Sequence, residues 1–399
     1  MVSSLLIAGR AADRFGRRKV FLMGLGLYGV AGIAGGCIPV VWVLIITRSL
    51  QGVAIAMLSP SGLAMSLKEF PPSRRAYAFG VWGTIGAVAG LCGSPLAAGM
   101  VEFFNWQAIF IFTGIFSLAI LVAGLVTLSD EQDFGDQTPI DFVSAILATI
   151  SVAGLTLFLV QGQEWGFTSV KTIVCLFAFL ITLPVFVHRN KTQAHPLFPQ
   201  TIFSQRSFTI GCVGSALSQV SFFSIFFGLP LYMREVWEWS PLRIGFALIP
   251  MNIVPLLTAA IAGKIVDQRG PRSMIIFGGV WSGTCFLMMG FFLMDPGYTY
   301  LASGLFVAGL GLMAIGNNTT IATLIDIDDA LLASASSASY TARRLGSALG
   351  AVLTASIVGN RVGADFKDVY IWVWILGAVA YFIGSLSTYL FYPKRPSEI

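Results

Sequence analysis

Apolar residues in this chain come in long runs rather than in stripes. Twelve segments, at about 20–38, 41–66, 78–103, 107–128, 141–161, 170–188, 208–229, 242–262, 274–294, 299–323, 333–357 and 370–391, are hydrophobic nearly all round. Short polar links separate them, among them EFPPSRR, MDPGYTY and QGQEWGFTS, rich in turn formers. A helix rises 1.5 Å per residue, so crossing a hydrocarbon core of about 30 Å takes about 20 apolar residues. Each segment meets that length. The pattern predicts an all-α, polytopic membrane protein with about twelve complete transmembrane helices and no room for a separate soluble domain. The opening MVSSLLIA has no basic region before it and is too short to cross a bilayer, so it reads as an N-terminal stub of a helix whose beginning is absent.

Composition narrows the class further. The 399 residues are 56% hydrophobic and only 11% charged, with a mean hydropathy of +0.81, whereas soluble domains carry about 25% charged residues. The net charge of +5 is no nucleic-acid signature, because the basic residues cluster in short loops between apolar runs. Their distribution orients the chain. If the loop at 9–19 is cytoplasmic, eighteen Lys and Arg fall on that side (Arg343 and Arg344 counted among them), five on the other, and Arg48 inside a span. The acidic loop SDEQDFGDQ at 129–137 dissents, but acids weigh little in this rule. The expectation is a multi-pass plasma-membrane protein with a cytoplasmic C-terminus. Five scattered cysteines and two histidines, His188 and His195, show no metal-ligand spacing and no nucleophile pairing. No Gly-rich loop ends in Lys-Ser/Thr, so ATP is not the energy source. Neither an enzyme nor a cofactor or metal site is expected.

One polar pattern occurs twice. GRAADRFGRR at 9–18 and GKIVDQRGPR at 263–272 both place Asp four residues after the first Gly, Gly seven after and Arg nine after. Eight spans lie between the copies and four follow the second. In a transporter made of two six-helix halves, each copy joins the second and third helices of its half. Two of the eight spans are then extra, which predicts an N-terminal half at 1–128, a linker pair at 129–205 and a C-terminal six-helix half at 206–399; the first helix and most of the second are expected to be missing from the front. The motif suits a cytoplasmic latch: Gly9, Gly16, Gly263 and Gly270 permit a tight turn, and Asp13 or Asp267 can accept bonds from arginines such as Arg14, Arg17, Arg18 and Arg272 and from a helix N-terminus. A plain topology anchor is the simpler alternative.

With these residues in view, the chain resembles the fourteen-helix drug:proton antiporters of the major facilitator superfamily, the EmrB/QacA type. LIITRSLQG matches a fourth-helix signature through Arg48, Gln51 and Gly52, and GAVAGLCGSPLAAG loosely matches the exporter signature of the fifth helix through Gly86, Gly90, Pro95 and Gly99. NWQAIFIF, HPLFPQTIFSQRSF and YTARRLGSALG resemble the opening of the sixth helix, the segment after the two extra helices and the start of the thirteenth. Two departures stand out: three residues, LCG, lengthen the exporter signature, and Ala98 stands where Gly is usual. The resemblance implies a major facilitator fold with two extra central helices, and a secondary antiporter that exports lipophilic drugs or toxic metabolites in exchange for protons.

Specific positions could carry transport. Gly83, Gly86, Gly90 and Gly93 recur every three or four residues and make one smooth helix face ahead of Pro95, a pliable contact or ordinary small-residue packing. The related stretch RLGSALGAVLTAS keeps Gly346 and Gly350 without a proline. Arg48 lies seven residues into its span, roughly 10 Å deep, where a charge faces the interior and needs a partner. The resemblance implies that it tunes a proton-binding carboxylate, yet no Asp or Glu lies mid-span. Gln51, Gln219, Asn252, Asn317 and Asn318 are the other intramembrane polar candidates, and 32 Phe with 9 Trp can line a cavity for lipophilic, even cationic, compounds. The expected partners are a lipophilic small molecule, protons and the bilayer, with the chain acting as a monomer. Export of a single endogenous metabolite, or a truncated non-transporting membrane protein, are the competing readings.

Overall fold

The computed structural model describes residues 15–68, 75–128, 141–193, 200–292, 298–316, 318–327, 332–359 and 366–393. Within them lie fifteen helices: α1 Arg17–Cys37, α2 Val41–Lys68, α3 Arg75–Phe103, α4 Trp106–Thr127, α5 Phe142–Trp165, α6 Val170–Thr192, α7 Gln200–Ser204, α8 Arg206–Glu235, α9 Pro241–Ala247, α10 Ile249–Arg269, α11 Pro271–Phe292, α12 Tyr298–Ile315, α13 Asn318–Leu324, α14 Leu332–Gly359 and α15 Phe366–Phe391. Ten helical stretches of 18 to 30 described residues are apolar enough to cross a membrane. All twelve apolar segments of the sequence fall on helices, and the protein is an all-α, multi-pass membrane protein. Two segments are broken: Leu248 separates α9 from α10, and the chain leaves the helix after Ile315 before α13 begins.

Local chemistry starts these helices. Asn105 Oδ1 accepts the Ala108 N–H at 3.1 Å at the head of α4, and Ser240 Oγ accepts that of Arg243 at 3.4 Å ahead of Pro241, the first residue of α9. Pro95, Pro184, Pro230 and Pro255 sit inside helices, which membrane helices tolerate because neighbours satisfy the freed carbonyls.

The chain divides into two compact units. The first comprises Met1–Phe79, Ala97–Thr149 and Pro184–Leu197. Here α1 packs on both α2 and α4. Gly32 brings α1 against the α4 backbone, since a Cβ there would lie 2.9 Å from Gly114 Cα; Ser117 Oγ donates to the Leu25 carbonyl at 2.9 Å across the same seam. Lipid tails are as apolar as leucine, so this close contact, rather than hydrophobic exclusion, holds the helices together. In the same unit Arg189 donates Nε and Nη2 to Asp141 at 3.3 and 3.2 Å, tying the end of α6 to the head of α5. Burial alone would push the Asp141 carboxyl up; hydrogen bonds from Ser144 and from Arg189 outweigh it and hold the carboxyl below its ordinary range.

The second unit comprises Gly80–Leu96, Ile150–Leu183 and Phe198–Ile399. Its core joins Tyr232, Met233, Phe286, Leu305, Tyr370 and Trp374 from α8, α11, α12 and α15. The helix α8 lies against α14 and α15, and α11 against α12 and α15. Tyr370, fully buried, donates its hydroxyl to Glu235 Oε2 at 2.7 Å at the far end of α8.

Candidate functional site

The duplicated motif has the same backbone twice. Gly16 has φ 94° and ψ 133° and immediately precedes α1; Gly270 has φ 72° and ψ 165° and immediately precedes α11. Both angles lie in a region reached almost only by glycine. Gly270 also closes α10, its N–H donating to the Val266 carbonyl at 2.8 Å. Gly9, Asp13 and Arg14 lie outside the described residues. Gly263 and Asp267 are on α10, their side chains outside the described set.

The last arginine of each copy makes the same contact. Arg18 Nη2 donates to the Leu125 carbonyl at 3.2 Å, and Arg272 Nη2 donates to the Tyr389 carbonyl at 2.6 Å, with its guanidinium 5.6 Å from the Tyr389 ring centroid. Leu125 is in the last turn of α4 and Tyr389 in the last turn of α15, where carbonyls have no partner within the helix. A cation there also meets the negative end of the helix dipole. Arg17 stands beside Arg18 at the start of α1. The spacing of the motif showed the turn; nothing in it could show which carbonyls the arginines cap, because they lie 107 and 117 residues away.

The glycine backbone supports a direct prediction. Gly16→Ala and Gly270→Ala are each expected to cost about 1–3 kcal/mol of stability through backbone strain, although a Cβ at Gly16 meets no atom within 4 Å. Thermal unfolding of the detergent-solubilised variants checks this. Unchanged midpoints would show that the turn relaxes without its glycine.

In the first unit, Arg48 sits on α2 and donates Nη1 to Gln51 Oε1 at 3.2 Å, and its guanidinium carbon lies 3.9 Å from the Phe110 ring centroid. It borders an open, mainly apolar groove of about 640 Å³ lined by Val41, Leu44, Ile45, Ser49, Trp106 and Phe110. Gln51 is only 3% exposed, and Gly52 follows it on the helix. No carboxylate partner is found for Arg48 among the described residues; an aromatic face and an amide serve instead.

On α3, a Cβ at Gly86 or Gly93 meets nothing within 4 Å, and one at Gly90 comes 3.5 Å from Asn252 Oδ1. The α3 helix continues unbroken through Pro95 and Gly99. Asn252 Nδ2 donates to the Leu248 carbonyl at 3.2 Å, beside the break between α9 and α10. Gly346 and Gly350 on α14 stand in contrast: their faces touch the α8 backbone at Ala216 and Val220.

A polar chain crosses the second unit. Ser347 Oγ shares its one proton between Gln219 Oε1 on α8, 3.2 Å away, and the Arg343 carbonyl, 3.0 Å away. Arg343 Nη1 donates to Thr320 Oγ1 on α13, and Thr323 and Ser339 share a hydrogen bond at 3.3 Å. Asn318 Nδ2 is spent locally on the Ala314 carbonyl at 2.8 Å; Asn317 lies outside the described residues. Sequence reading singled out Gln219 but counted Arg343 and Arg344 with a loop. Both lie well inside α14, and the signal that placed them there was the apolar segment at 333–357, which contains them both although the charge count assigned them to a loop.

Known proteins sharpen this picture. Residues 1–351 and 211–399 match the sequence profile of the Major Facilitator Superfamily. The chain is 27% identical over 365 residues to the tetracenomycin C resistance and export protein of Streptomyces glaucescens, covering 92% of this chain and 68% of that one. It is 26% identical over 362 residues to the multidrug export protein EmrB of Escherichia coli K12, covering 90% and 70%. A solved peptide transporter POT in complex with sulfate superposes with a TM-score of 0.67 at 16% identity, over 97% of this chain and 82% of that chain, a likeness of fold alone. A profile match across the whole length, on a helical membrane fold of this kind, establishes that the chain belongs to the Major Facilitator Superfamily.

Proposed function

We propose that the protein exports lipophilic small molecules by secondary active transport, in exchange for protons, as a monomer in the plasma membrane with its C-terminus in the cytoplasm. The observation that carries this reading is the duplicated motif: one glycine conformation and one arginine-to-helix-end contact, repeated ahead of α1 and of α11. A device built twice fits a transporter of two related halves, 1–128 and 206–399, joined by the helix pair in 129–205. Its relatives are named for export of tetracenomycin C and of multiple drugs, which supports export as the direction. On this reading the two motif copies latch the cytoplasmic side in one state and release it in the other, with Asp13 and Asp267 accepting within the latch. Gly86, Gly90, Gly93, Pro95 and Gly99 form the pliable helix against which the halves rock. Intramembrane polar groups, Arg48 foremost, couple the proton to the substrate.

The test is transport. Cells without their own efflux pumps and expressing the protein should accumulate less of a fluorescent lipophilic dye than empty-vector cells, and an uncoupler should abolish the difference. Equal accumulation across a panel of lipophilic acids, neutral compounds and cations would overturn the reading.

A further inference from the structure

The polar chain of the second unit contains a charge problem that the export reading leaves open. The α14 helix has 28 residues, about 42 Å of helix. Arg343 lies eleven residues from Leu332, so even with α14 centred in a core of about 30 Å it sits about 10 Å inside the hydrocarbon. Its neighbour Arg344 is also partly buried. Of the five N–H donors on Arg343, one is taken up by the Thr320 hydroxyl. Among the described residues neither arginine has a carboxylate partner. The residue next to Arg343 on the chain is Arg344, a second cation. Of the described acids nearby, Glu235, Asp267 and Asp368 lie at helix ends and Asp326 lies just past the end of α13.

A cation inside a membrane costs at least a few kcal/mol and is retained where it faces protein or a water-filled path and has something to bind. The helix around it has that character. Ser336, Ser339 and Thr341 lie in the first half of α14 and Ser347 just past its middle; Ser339 and Ser347 are buried against protein, where membrane helices use hydroxyls to hydrogen-bond one another. The facing helix α8 adds shape. Gln219, which accepts from Ser347, shares one face with Phe222, Phe223 and Phe226 at helical spacing, and those rings lie 5.6 to 6.0 Å from one another. Guanidinium donors linked through Ser347 and Gln219 to the helix that carries an aromatic ladder suit an anionic oxygen borne on flat apolar rings.

We propose, building on the export reading above, that Arg343 and Arg344 with Gln219 and the α8 aromatic ladder select aromatic acids, carboxylates or phenolates, as substrates, so that the substrate supplies the counter-charge that the helices do not. This departs from the lipophilic, even cationic, compounds that the aromatic content alone suggests.

One scaffold in three charge states provides the test: naphthalene-2-carboxylate, its neutral carboxamide, and naphthalen-2-ylmethylammonium. Binding to the full chain in lipid nanodiscs is measured by isothermal titration, with empty nanodiscs as the blank. The carboxylate should bind at least about tenfold tighter than the amide, the scale of one hydrogen bond to a charged group. Arg343→Gln should weaken the carboxylate more than the amide and so erase that preference, and Arg343→Lys should retain part of it. Arg344→Gln, away from the Thr320 contact, provides a second reading if Arg343→Gln fails to fold, and should narrow the preference too. Tighter binding of the ammonium, binding of none of the three, or an equal loss for all three in both variants overturns the proposal. A carboxylate preference without efflux in the dye assay leaves the site standing and removes the export reading instead.

Discussion

Gly346→Val is expected to unfold the second unit well below the parent's melting temperature. A Cβ at Gly346 would lie 2.8 Å from the Ala216 carbonyl carbon and 2.9 Å from its Cα, and closer still to the carbonyl oxygen. These are backbone atoms of α8 and cannot rotate away. At Gly350, one turn on, a Cβ would lie 3.0 Å from the Val220 carbonyl carbon and Cα. Relief requires α14 to move off α8, and the seam is bonded: Ser224 Oγ donates to the Gly350 carbonyl and Thr354 Oγ1 to the Ser224 carbonyl, both at 3.3 Å. Overpacking of this kind costs about 1–3 kcal/mol where neighbours can give; here they cannot, and the hydrogen bonds across the seam are lost as well. Gly86→Val, where nothing lies within 4 Å, is the control and should melt near the parent. Thermal unfolding followed by tryptophan fluorescence in detergent measures both. Equal midpoints would mean that α8 and α14 do not pack this closely.

Arg48→Leu should separate stability from transport. Arg48 carries its charge on a groove that is otherwise mainly apolar, with one amide and one aromatic ring for partners. An arginine at the centre of a membrane helix costs about 2.5–3.5 kcal/mol on insertion scales, so leucine should leave the melting midpoint unchanged or raise it. Proton-driven efflux should fall at least about tenfold, the scale of a lost charge-assisted interaction. Arg48→Lys keeps the charge but loses the planar fork that both donates to Gln51 and lies over Phe110, and should recover only part of the rate. Efflux by Arg48→Leu at the parent's rate would remove Arg48 from the coupling role proposed for it. A large drop in midpoint would show instead that its bond to Gln51 is structural.

The pattern of apolar runs was sufficient to place the twelve long helical segments, because spanning length is a local property: about 20 apolar residues cross a bilayer whatever lies beside them. The glycine turns of the repeated motif were legible for a related reason. A left-handed backbone at Gly16 and Gly270 excludes other residues wherever the rest of the chain goes. Single-residue breaks were not legible in hydropathy. Leu248 is as apolar as its neighbours, and the mark of the break between α9 and α10 is Pro250 in the first turn of α10. Pairings across the fold were hidden for a different reason. Arg18 and Arg272 cap carbonyls more than a hundred residues away, and every residue offers a carbonyl, so no residue type marks the acceptor. Arg343 reads as a loop cation in a charge count, because such a count cannot tell a basic residue ending a helix from one inside it. Its depth in α14 follows from the apolar segment at 333–357, but its bond to Thr320 and its link to Gln219 through Ser347 depend on where α8, α13 and α14 meet. Apolar length and backbone conformation are therefore readable along one strand of sequence; contact between distant helices, and with it the partner of each buried charge, exists only once the helices have packed.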